Sequence, residues 1–142
     1  MTEPNTQFTN SLREHKKSVT AARRVVFEAL QAQEPLTMRE LVEKCIDNID
    51  RASIYRAIEL FEKLGIVQRL QIGWKYKLEL SNNFNYHHHH LTCTKCNSII
   101  PLPEDPILEN RLEYLATQSN FKTIDHQIEI KGICLNCRLE TI

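Results

Sequence analysis

Apolar residues recur at three- and four-residue intervals through most of the first half of the chain, the period of helices with one buried face. Val25, Val26, Ala29 and Leu30 share such a face, with Thr20 placed to cap the segment and Pro35 beyond its end. Thr37 stands before a second run, Leu41, Val42 and Cys45. After the turn-prone Asp47-Asn48-Ile49-Asp50, a third face is formed by Ile54, Ala57, Ile58, Phe61 and Leu64, and Gly65 suits the stop. A further helix is expected upstream, around residues 8–17. Two short β segments, at 66–70 and 74–78, flank Gly73 as a hairpin. Helices followed by a hairpin predict a winged helix-turn-helix over residues 1–80.

The polar connector SNNFNY, residues 81–86, is the expected hinge. Beyond it, strands are expected near 90–93 and 98–102, a helix from about 105 to 117 and a strand from about 122 to 131, with Pro101, Pro103 and Pro106 interrupting the chain before the helix. Residues 87–142 therefore read as a small α/β unit, and the whole as α+β. A length of 142 residues accommodates two such half-size units. At 42% hydrophobic and a net charge of zero, the chain should fold rather than coat a polyanion. The charge is split, however: residues 1–80 hold 13 Lys+Arg against 11 Asp+Glu, and residues 81–142 hold 5 against 7. No run of 18 apolar residues and no signal-like start is present, so a soluble, cytoplasmic protein with no membrane partner is expected.

Candidate chemistry lies mostly in the second half. An odd count of five cysteines suits a disulfide framework poorly. Four form the Cys-x-x-Cys pairs Cys93/Cys96 and Cys134/Cys137, whereas Cys45 stands alone on a helical face. Free thiols or redox pairs are one reading. Structural Zn²⁺ is the better one, because each turn presents two thiolates to one tetrahedral ion, and a closed set leaves no position open for catalysis. The run His87-His88-His89-His90 precedes Cys93, and on an extended segment alternate members face opposite ways, so one run can serve two metal sites. His126 lies on the expected last strand. In the first half, Ser53, Tyr55 and Arg56 project from the third helix opposite its apolar face, where a recognition helix meets base edges and phosphates. No His-Glu-x-x-His or similar motif is present, and an enzyme is not expected. A zinc storage protein would have no use for Tyr55, Arg56 and the wing.

Thr20-x-x-Arg23, Ala52-Ser53-Ile54-Tyr55-Arg56, the histidine run with Leu91-Thr92-Cys93-x-x-Cys96, His126 and Cys134-x-x-Cys137 together resemble the ferric uptake regulator superfamily of metal-responsive repressors. The resemblance spans nearly everything from Thr20 to Cys137. It implies a winged-helix domain joined by a hinge to an α/β dimerisation domain, acting as a homodimer on double-stranded operator DNA, with no small-molecule substrate. Arg23 joins Ser53, Tyr55 and Arg56 as a DNA-binding residue. Cys93, Cys96, Cys134 and Cys137 fall on the structural zinc ligands. His87, His89 and His126 fall on a regulatory metal site whose carboxylate is assigned to Glu109, which stands 17 residues before His126, with Glu104 and Glu113 as alternatives. Glu79, His88 and His90 fall on a hinge metal site. His89 resembles the zinc branch, where iron and peroxide sensors commonly carry aspartate, while Glu79 resembles the iron branch. A regulatory Zn²⁺ is therefore expected, with an Fe²⁺, Mn²⁺ or peroxide sensor of the same superfamily as the alternatives.

Overall fold

The structure is a computed structural model that describes residues 3–31 and 34–140. It divides into two compact units, one ending at Tyr86 and the other starting at His87. The first holds α1 (Pro4–Glu14), α2 (Ala21–Leu30), α3 (Met38–Cys45) and α4 (Arg51–Lys63), then β1 (Val67–Ile72) and β2 (Lys75–Leu80). The second holds β3 (His88–Cys93), β4 (Ile99–Pro103), α5 (Pro106–Gln118), β5 (Glu129–Gly132) and α6 (Leu135–Leu139).

Local chemistry sets the helix starts. Thr20 accepts the Arg23 N–H at 3.2 Å, and Thr37 forms a reciprocal capping box with Glu40. Asp50 accepts the Ser53 N–H at the head of α4, and Gly65, at φ 72, closes its end in the left-handed conformation that glycine adopts without strain. The buried faces meet in an aromatic centre. Phe8 stacks on Phe27 at 4.1 Å between ring centroids and meets Phe61 edge-on at 5.4 Å, each pair contributing about 0.5–1.5 kcal/mol beyond its buried area. α1 thus belongs to this core through Phe8 and Leu12, both fully buried. It lies earlier than expected, because Pro4 suits a first helical turn and Lys16 leaves the helical region at φ 56.

β1 and β2 pair antiparallel from Val67↔Leu80 to Ile72↔Lys75, each reaching two residues further than expected. Leu36 adds a bridge to Leu78. The 81–86 connector is held onto the first unit: Ser81 donates its N–H to Ile66 O and its hydroxyl to Gly65 O, and Phe84 is buried edge-on against Phe27.

In the second unit the sheet order is β4-β3-β5, with β4 antiparallel and β5 parallel to β3. The expected strand over 122–131 is corrected to the four residues of β5. Before it, the Asp125 side chain accepts the His126 N–H at 2.8 Å, occupying a donor that a ladder would need. α6, which starts after Cys134, was not expected from the sequence.

Candidate metal centres and nucleic-acid surface

Two turns bring the four cysteines together. Cys93 ends β3, and the chain reverses through Asn97, at φ 61, so that Asn97 N–H bonds Cys93 O and Cys93 N–H bonds Ser98 O. The second turn is tied to the first by Thr94 N–H on Gly132 O and by Cys134 N–H on Cys93 Sγ at 3.4 Å. All four sulfurs lie within 4.8 Å of one another. Cys96 Sγ and Cys134 Sγ are 3.8 Å apart, and a tetrahedron of Zn–S bonds of about 2.3 Å has edges of about 3.8 Å. The donor set therefore fits a closed zinc site. Its protonation favours a cation too: backbone N–H groups of Cys134 and Cys96 pull the Cys93 thiol down to about 6, and Ser98 leads the lowering of Cys96. Cys137 is pushed up to about 12, first by its hydrogen bond with Cys134 and then by burial. The last proton is the hard one to remove, and a divalent ion at the centre would displace it. Cys45 is buried in the first unit and is not part of this group, with its thiol pushed up by burial. Ser98, which accepts from Cys96 Sγ at 3.0 Å, is a supporting residue that the sequence reading missed.

A second group forms around Glu109, in the first turn of α5 behind its Asp105 cap. His89 Nε2 lies 2.6 Å from Glu109 Oε1, while His126 Nε2 and His87 Nε2 lie 2.6 and 3.2 Å from Oε2. The four ligand atoms are all within 4.8 Å of one another, and His89 is fully buried. The buried Nε2 of His126 has no aligned hydrogen bond among the described residues despite its short distance to the carboxylate. Three ring nitrogens converging on one carboxylate, two of them without hydrogen-bond alignment, form an arrangement an ion could fill, and three imidazoles with one carboxylate suit a borderline-soft divalent metal. Burial pushes the Glu109 carboxyl up, but the His89 hydrogen bond and the neighbouring His126, His87 and His89 outweigh it and hold it below the usual range. Glu104 and Glu113, the alternatives, are exposed and outside this group.

The other histidine face is separate. The rings of His88 and His90 lie 4.7 Å apart, as do those of His87 and His89. Glu79, on β2, is buried and accepts from Gln68 Nε2 at 2.7 Å.

α4 exposes Tyr55 and Arg56 on the side away from buried Ile54, Ala57 and Ile58. The Arg56 Nε–H is bonded to Ala52 O at 3.2 Å. Ser53 donates its hydroxyl to Asp50, so it takes part in the helix cap. Arg23 donates to Ser18 O at 2.7 Å, bracing the turn before α2. Arg69 is engaged by Glu62 at 2.9 Å and lies over the Tyr76 ring at 4.2 Å.

Comparison with known proteins agrees with this architecture. The chain is 32% identical over 144 aligned residues to the ferric uptake regulation protein of Campylobacter upsaliensis, covering 95% of this chain and 89% of that protein. Among solved structures, the ferric uptake regulator of Vibrio cholerae superposes with a TM-score of 0.69 at 30% identity, covering 89% of this chain and 98% of that one. The regulator of Francisella tularensis, solved with iron, gives 0.68 at 26% identity, covering 85% and 94%. The sequence profile of the ferric uptake regulator family matches residues 14–131, and with relatives at this identity along most of their length, the chain belongs to the ferric uptake regulator family, whose members are metal-responsive transcription regulators.

Proposed function

We propose that the protein is a zinc-dependent, homodimeric transcriptional repressor that binds operator DNA through its first unit and regulates metal homeostasis. The observation that carries the metal reading is the convergence of His87, His89 and His126 on the Glu109 carboxylate, apart from the cysteine site. Cys93, Cys96, Cys134 and Cys137 hold a structural Zn²⁺, and the histidine group holds the regulatory ion. Its three imidazoles favour Zn²⁺, since oxygen-rich sets suit harder ions. From the sequence resemblance we further assign Glu79, His88 and His90 to a hinge metal set.

Tyr55 and Arg56 are the proposed readers of DNA, with Ser53 and Arg23 near helix starts completing the contact set. Exposed Ile107 and half-exposed Tyr114, Leu115 and Ile130 supply apolar surface for the second copy. Repression follows if the ion binds the DNA-competent state more tightly than the other; DNA must then tighten ion binding by the same factor.

A second reading, Fe²⁺ as corepressor, is favoured by the name of the Campylobacter relative. Titrating Zn²⁺, Fe²⁺ and Mn²⁺ against binding to a duplex that the protein itself selects from a random pool separates the two. Tighter DNA binding with Zn²⁺ at lower free-ion concentration than with Fe²⁺ supports the first. DNA binding indifferent to every ion, with both sites filled, refutes metal-dependent repression.

A further inference from the structure

We propose that Trp74, at the tip of the β1–β2 hairpin, is a DNA-docking residue that packs against the sugar-phosphate edge of a groove beside the recognition helix. The inference rests on the DNA-binding function proposed for the first unit and adds a contact that the recognition helix does not provide.

Trp74 is the single tryptophan of the chain and is 94% exposed. Nothing in its own unit covers the indole, and its backbone lies in a hydrogen-bonded hairpin turn. Ile72 pairs with Lys75, leaving Gly73 and Trp74 as a two-residue turn. Gly73 takes φ 61, as a tight hairpin turn requires at its first central position, and its carbonyl accepts Gln71 Nε2 at 2.9 Å. An aromatic ring held out on a stiff turn has little backbone freedom to lose on binding.

The hairpin is also locked to α4. Ile66 N–H bonds Phe61 O, and Arg69 ties β1 to Glu62 of the helix. Tip and recognition helix are thus parts of one unit and meet a partner together.

Charge identifies the partner. Residues 68–78 contain three basic and no acidic side chains. Arg69 is already paired with Glu62, whereas Lys75, next to the indole, is exposed and has no ion pair among the described residues. The tip therefore offers one cation, one ring face and one indole N–H donor. A duplex backbone accepts all three: Lys75 neutralises a phosphate, the indole N–H donates to a phosphate oxygen, and the ring lies on deoxyribose. The neighbours of Trp74 are polar and its apolar surface is isolated, so no apolar patch for a protein partner accompanies it. Because these contacts touch backbone rather than base edges, they raise affinity without choosing sequence.

The test uses the full chain loaded with Zn²⁺, the duplex it selects from a random pool, and a scrambled duplex. All tryptophan emission comes from Trp74, so acrylamide quenching reports its exposure directly. Quenching should fall at least twofold in the bound complex. Trp74→Ala should weaken binding to both duplexes by roughly tenfold while keeping their affinity ratio, with melting temperature and zinc content unchanged. Lys75→Ala should reduce the salt dependence by about one counterion. A bound duplex with unaltered quenching, or a Trp74→Ala protein of wild-type affinity, overturns the inference alone. Failure to select any duplex overturns the DNA-binding function and this inference with it.

Discussion

Glu109→Gln removes one charge from the centre of the histidine group and nearly nothing from its shape. The carboxylate stands within 3.2 Å of three ring nitrogens. A unit negative charge about 3 Å from a divalent ion attracts it by about 11 kcal/mol at an effective dielectric of 20, and desolvation of the two cancels most of this. A net loss of about 3–4 kcal/mol is expected, roughly 100- to 1,000-fold in affinity. Competition with a chromophoric chelator measures it: wild type should hold the regulatory ion against the chelator and Glu109→Gln should release it, while the cysteine-bound zinc stays. Glu113→Gln, on the same helix and exposed, is the control and should behave as wild type. The metal-free protein gives a second readout. Because the Glu109 pKa is lowered on folding, its stabilisation is complete above the ordinary carboxylate range and is lost as pH falls through the lowered value. The gap in melting temperature between wild type and Glu109→Gln should therefore close on acidification below that range. Unaltered metal affinity in Glu109→Gln, or a gap that widens in acid, refutes the role assigned to this carboxylate.

Cys96→Ser should lose one tightly held zinc per chain and destabilise the second unit, whereas Cys45→Ser should keep full zinc content; elemental analysis with calorimetry checks both. Arg56→Ala should weaken operator binding by about 1–3 kcal/mol in a gel-shift titration with metal stoichiometry intact, and unaltered affinity in both it and Tyr55→Phe would falsify the assignment of α4 as reader. Thr37→Ala removes a capping box and should cost about 1 kcal/mol in denaturant unfolding, with no change in metal content. Exhaustive chelation should melt the second unit while leaving the helical first unit folded, seen as two separated transitions in place of any shared one.

The helices of the first unit were legible because their signals are local: a cap such as Thr37, an apolar face repeating every turn, and Gly65 at the stop. The cysteine turns were legible for the same reason. Glu109 was not readable from periodicity, since α5 has no fully buried face to mark an inward side, and only the interval to His126 that the family resemblance implies pointed to it. The strand expected over 122–131 failed in an instructive way. Ile124, Ile128 and Ile130 suggest alternation, but Ile124 is 95% exposed. Alternation without a covering layer carries no energy, and the backbone there instead follows the contact of His126 with Glu109. Ser98 was missed because a hydroxyl two residues from Cys96 carries no periodic signal, and α6 because a five-residue helix is too short to show one.

Burial explains why the two units differ so much in what they require. The first unit encloses its own apolar core, with Phe8, Phe27 and Phe61 at the centre, and needs no ion to be satisfied. In the second unit the fully buried hydrophobic positions among the described residues are Cys93 and Cys137, accompanied by His89, His90 and Thr92. Its interior is made of side chains that ask for a ligand, while its isoleucines and leucines remain partly open to solvent. Under the proposed function, a unit of that size without an apolar core gains its missing stability from metal bonds and from a second copy. The same residues then serve two ends. On that reading, a group that must bind an ion to be folded is also a group whose order reports the ion, and its placement on β3 would make the central strand of the sheet answer to metal.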